Sequence, residues 1–71
     1  MPSGRAADFR RIAKALGFDR RRQRGSHEHW EHPDGRFVTI PVHGDTEIGG
    51  GLFFSILKQL NISLKQFQQL R

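Results

Sequence analysis

The 71-residue sequence carries 12 Lys and Arg against 7 Asp and Glu, with 4 His, no Cys and a formal net charge of +5. One domain fits this length and a two-lobed enzyme does not, while the missing cysteines exclude disulfide staples, thiol catalysis and cysteine-based zinc sites. No apolar run approaches the ~18 residues of a membrane span, and early arginines leave no signal-peptide core, so a cytoplasmic protein without membrane association is expected.

The first predicted element is a helix capped by Ser3, with Phe9, Ile12, Ala13 and Leu16 on one face. Gly17 ends it, and Phe18 folds back on its last turn. Asp19 to Arg24 is polar and basic and reads as an exposed strand, and Gly25-Ser26 reads as a tight turn. His27 to His32 alternates: with Trp30 toward the core, Glu28 and His32 share its parity, and His27, His29 and Glu31 face away. Pro33-Asp34-Gly35 is a turn, and Arg36 to Val42 is a strand rich in β-formers, with Pro41 marking an edge or exit. His43 to Thr46 is a loop. The second helix starts near Gly49-Gly50-Gly51 and carries Leu52, Phe53, Ile56, Leu57 and Leu60 as its apolar stripe, with Asn61 as its end cap. Ser63 and Gln66 have capping-box spacing for a short last helix with Leu64, Phe67 and Leu70 inward.

This order, α-β-β-β-α with a short extra helix, predicts an α+β fold with a three-stranded antiparallel sheet. Both main helices must pack on one face of it, because neither buries its stripe alone. The other face is left open.

The charge is unevenly placed. Residues 1–24 hold eight basic and two acidic groups, a net of +6, and the remainder is net −1. Nine of the twelve cations are Arg, whose planar fork grips phosphate. A small chain with one basic half points to a polyanion partner, nucleic acid first.

His27 is the leading candidate for chemistry. It sits at a strand entrance after Gly25-Ser26, on the solvent-facing parity, and an imidazole exchanges protons near neutral pH. RNA backbone cleavage needs a proton removed from a 2′-OH, a stabilised phosphorane and a proton given to the 5′-oxygen. Arg20, Arg21, Arg22 and Arg24 on the neighbouring strand supply phosphate binding. Ser26 and His29 join the RNA-binding set, and His43 is a further candidate for the site or for capping its loop. His32 serves the turn, and Trp30 packs in the core. One of Phe53 and Phe54 belongs to the core, and the other is left for a partner surface. No carboxylate stands at a recognised ligand spacing from the histidines, so neither metal nor another cofactor is expected.

Gly17-Phe18, Arg24-Gly25-Ser26-His27, His32-Pro33-Asp34-Gly35, Ile40-Pro41-Val42-His43 and Gly51 before Ile56-Leu57, in this order, resemble the HicA toxins of toxin–antitoxin pairs over about residues 5–67. The resemblance implies a single HicA-like toxin domain over residues 1–71, with a fold like a double-stranded-RNA-binding domain. It implies an mRNA interferase that cleaves RNA and blocks translation, with His27 as its active-site histidine; with no metal expected from the residues, the combined expectation is a metal-independent endoribonuclease. It also implies a HicB-type antitoxin partner covering the active face, and operator DNA met only through that complex. Where the family often opens the second helix with Gly-Thr-Leu, this chain has Gly51-Leu52-Phe53, which removes the hydroxyl from that helix start. Two other functions are compatible with the composition: a non-catalytic RNA-binding module, and a chain that serves mainly to bind a partner protein.

Overall fold

The computed structural model describes residues 2–42, 44 and 46–71. A two-residue strand β1 (Ser3–Gly4) leads into helix α1 (Ala6–Ala15), which buries Ala6, Phe9, Ile12 and Ala13. Ser3 does not cap this helix. The N-cap is Arg5, whose backbone N–H donates to the Asp8 carboxylate at 3.0 Å. Asp8 meets a free amide of the first turn. Ser3 is drawn into strand pairing, and its hydroxyl donates to Glu47 at 2.8 Å. The helix ends as expected. Gly17 has φ +96°, its N–H reaches the Lys14 carbonyl at 3.1 Å, and the Phe18 N–H reaches Ala13 at 2.9 Å. This is a Schellman closure, and it delivers Phe18 into the core.

The chain then forms an antiparallel meander of β2 (Asp19–Arg24), β3 (His27–Glu31) and β4 (Phe37–Pro41), with β3 central. Gly25, at φ +55°, makes the two-residue turn between Arg24 and His27. Gly35, at φ +97°, makes the next turn. There the His32 carbonyl accepts from the Gly35 N–H at 3.0 Å, and His32 Nδ1 accepts from the Asp34 N–H at 3.1 Å. His32 thus serves the turn, as its position predicted. The pairing of β2 with β3 contains one irregularity: Arg20 stands opposite Trp30, but Arg22 stands opposite His29. Two steps on β2 match one on β3, which makes Arg21 a bulge residue and reverses the parity of everything before it. Pro41 ends the edge strand β4, and on that edge the Thr39 N–H is met by the Gln59 side chain at 3.0 Å.

After residue 42 comes a second small sheet that the hydrophobic pattern did not announce: β5 (Ile48–Gly49) pairs antiparallel with β1. Helix α2 (Gly50–Leu60) follows and buries Phe53, Ile56, Leu57 and Leu60. Leu52 was expected in this stripe but is 52% exposed, because it falls off the face that meets the sheet. Asn61, in the left-handed conformation at φ 59°, closes α2, and Ser63 with Gln66 forms the expected capping box for α3 (Leu64–Leu70). This short helix sends one residue fully into the core. Phe67 is buried against Phe9 and Phe53, at ring separations of 5.3 and 5.0 Å, while Leu64 is only partly buried and Leu70 is exposed, against expectation. Seven residues present too little of a face to bury three apolar side chains.

The fold is therefore α+β: the described residues form three helices and a three-stranded antiparallel sheet, in the α-β-β-β-α order of a double-stranded-RNA-binding domain. Val38, Ile40 and Trp30 join the helix-side core. None of the described helices is long and apolar enough to cross a membrane.

Candidate active site

The alternation of β3 divides its side chains as predicted. Glu28 and Trp30 are buried on the helix side, His27 and Glu31 are exposed on the other, and His29 is half-buried. Residues directly opposite each other in an antiparallel pair share a face. Arg24 stands opposite His27, Arg22 stands opposite His29, and Thr39 of β4 flanks His29 from the other side. These five side chains line a shallow cavity of about 150 Å³. Ser26 sits in the adjoining turn, where its carbonyl accepts the Val42 N–H at 2.6 Å.

The bulge separates the four arginines of β2. Arg20 is turned to the helix side, where its guanidinium lies 3.5 Å from Glu28. Arg21 lies 3.7 Å from Glu31. Arg22 and Arg24 remain in the cavity, and among the described residues neither has a carboxylate within ion-pair distance. The structure thus brings Arg22, Arg24, His27 and His29 together and takes Arg20 away. His43, the other candidate, lies outside the described residues.

Glu28 explains where much of the N-terminal positive charge goes. Its carboxylate is 1% exposed and receives two hydrogen bonds from Arg10 of α1, at 2.9 and 2.8 Å, and one from the Trp30 indole at 3.1 Å. The Arg10 hydrogen bonds hold its pKa below the ordinary carboxylate value against the opposing effect of burial, with Trp30 and the charges of Arg10 and Arg20 assisting. Arg5 is engaged by Glu47, and Arg11 by Asp8. Of the eight basic residues in positions 1–24, Lys14, Arg22 and Arg24 lack a carboxylate partner among the described residues, and the two arginines line the cavity.

Two further surfaces carry less chemistry. A larger groove of about 570 Å³ lies between α2 and α3, lined by Phe54, Leu57, Ile62 and Leu64 among others. Lys58 is its one charged group, and it holds no acid or base suited to proton transfer. Phe54 is 45% exposed there, while Phe53 is buried, which settles which of the pair belongs to the core. The glycine run at the start of α2 leaves open space around Gly50 and Gly51. Among the described residues no three His, Asp or Glu side chains gather as metal ligands do.

Two residues of the open face escaped the sequence-based site. Thr39 and Phe37 alternate with Val38 and Ile40, so their outward parity was available from the two-residue period. Neither carries a titratable group, and nothing else drew notice to them.

The site is thus an imidazole and two arginines without a carboxylate partner among the described residues, set on the open sheet face of a small α+β domain. The chain matches the family of the HicA toxin of bacterial toxin-antitoxin over residues 6–62, most of its length. It belongs to that family, and is thus a toxin whose biological counterpart is an antitoxin. No curated protein matches the chain.

Proposed function

We propose that this toxin is an endoribonuclease that cleaves mRNA and so blocks translation, with His27 transferring protons at the scissile phosphate. The observation that carries this reading is the shared cavity of His27, His29, Arg22 and Arg24. In this reading His27 takes the proton from the 2′-OH, and the 2′-oxygen forms its bond to phosphorus. The bond from phosphorus to the 5′-oxygen breaks, and that oxygen takes a proton from solvent or from the imidazolium. Arg22 and Arg24 hold the phosphate and stabilise the charge that grows on its oxygens. One positioned acid or base contributes about 10²–10⁴-fold, so a modest nuclease is expected. No residue assigned here requires a metal.

The open face is also the surface on which a HicB-type antitoxin is proposed to sit, masking His27. Contact with operator DNA would then arise through that complex, and the site of action would be the cytoplasm, where mRNA is translated.

Purified wild type and His27→Ala, incubated with RNA and induced in growing cells, test the assignment. Loss of cleavage and of growth arrest in His27→Ala is the expected result. A variant that still cuts RNA and still arrests growth overturns it. Intact RNA with the wild type, together with salt-sensitive binding, would instead select a non-catalytic RNA-binding module.

A further inference from the structure

The open face carries one large apolar ring beside the cavity. Phe37 is 56% exposed, whereas its neighbour Val38 is fully buried. It is not an isolated surface residue, because its ring lies 5.4 Å from that of His29, tilted by 32°. Thr39, two positions along β4, lines the cavity. At ~3.3 Å per residue, Phe37 lies about 7 Å beyond Thr39 and about 13 Å beyond Pro41, the partner of His27.

The charges along this face have a direction. Arg22 and Arg24 lie at the His27 end, while at the Phe37 end Asp19 and Glu31 face each other with Arg21 3.7 Å from Glu31, which leaves that end net negative. A phosphate is favoured at the first end and disfavoured at the second. An uncharged aromatic ring suits the second end, and exposed aromatic side chains on a sheet stack unpaired bases.

We propose that Phe37, backed by His29, is a stacking platform for an unpaired base flanking the scissile phosphate, which makes single-stranded RNA the substrate of this site. The proposal rests on the ribonuclease reading above and adds to it the substrate's form and a positioning residue. A base held in a duplex is stacked between its neighbours and cannot lie on Phe37. Stacking tolerates every base, so the platform sets distance from the cut more than sequence.

The test uses the full chain carrying His27→Ala, so that RNA survives, and short single-stranded RNAs with 2-aminopurine at successive positions. Binding is expected to quench the fluorophore strongly at one position. Phe37→Ala is expected to abolish that quenching and to weaken binding about tenfold. Phe37→Trp should retain both, and Phe37→Leu, which keeps apolar bulk without an aromatic face, should not. In the active background Phe37→Ala should raise KM about tenfold and leave kcat near wild type. Unchanged affinity in Phe37→Ala, full affinity in Phe37→Leu, or a perfect duplex bound as tightly as the single strand would each overturn the platform. The fluorescence result is independent of catalysis: if His27→Ala still cleaves, the catalytic assignment fails, and an uncleavable 2′-deoxy analogue carries the same measurement.

Discussion

Arg24 stands directly opposite His27 across the first turn of the sheet, whereas Arg20, four positions earlier on the same strand, stands opposite the buried Trp30. The bulge at Arg21 causes this separation, and it sorts the arginines into two groups with different work. Arg22→Gln and Arg24→Gln are each expected to weaken RNA binding and to flatten its dependence on salt. The slope of log affinity against log salt should fall by about 0.7 per arginine removed. Arg20→Gln should leave that slope unchanged, since its guanidinium is directed at Glu28. Anisotropy titrations of a labelled single strand over a range of salt, in the His27→Ala background, make the comparison. Equal loss of slope in all three variants would contradict the assignment of Arg20 to the helix side.

Glu28 gives the domain a specific sensitivity to acid. Its folded pKa is lowered below the ordinary 4.5, first by the hydrogen bonds from Arg10. A lowered carboxylate stabilises the fold fully above its ordinary value, and the contribution is lost as pH falls toward the lowered one. Glu28→Gln is therefore expected to melt lower than wild type at neutral pH, and to lose less further stability below about pH 4.5. Asp34 and Glu47 are lowered too, by the Arg36 backbone N–H and the Ser3 hydroxyl first, so the acid slope shrinks in the variant and does not vanish. Arg10→Ala leaves the carboxylate buried with fewer donors and should cost about 2 kcal/mol, roughly 10 °C in Tm. Thermal melts across pH check both variants.

Much of this arrangement was legible because its causes are local. The parity of His27, Glu28 and Trp30 follows from the two-residue period of a strand, and the helix ends at Gly17 and Asn61 follow from the chemistry of left-handed caps. What escaped depends on partners far apart in the chain. Arg10 and Glu28 are 18 positions apart, and Ser3 and Glu47 are 44 apart, so no spacing rule reveals either pair. The surplus of charge in residues 1–24 is real, but Arg5, Arg10, Arg11, Arg20 and Arg21 are engaged by carboxylates of the chain itself. The bulge at Arg21 was equally hidden, because composition does not say where a strand takes its extra residue. These pairings, most of them between different elements, leave Arg22 and Arg24 beside His27, with Lys14 on α1, as the cations of that half without a carboxylate partner among the described residues.

The ends of the chain, outside the residues matched to the family, carry the last prediction. Gly4 of β1 and Phe67 of α3 meet at the core: a Cβ added at Gly4 would lie 2.6 Å from Phe67 Cζ and 3.2 Å from Phe9 Cε2. Phe67 cannot swing aside cheaply, since it is buried and packs against both Phe9 and Phe53. Gly4→Ala is therefore expected to cost about 1–3 kcal/mol through overpacking. Because the shortest contact is with the Phe67 ring, Phe67→Leu should recover part of that loss. The double variant would then be more stable than the sum of the two single losses predicts, by at least about 0.5 kcal/mol. Denaturant melts of the four proteins measure this coupling. Strict additivity would mean that β1 yields to the added methyl by shifting its backbone, and that Phe67 does not set the requirement for glycine at position 4.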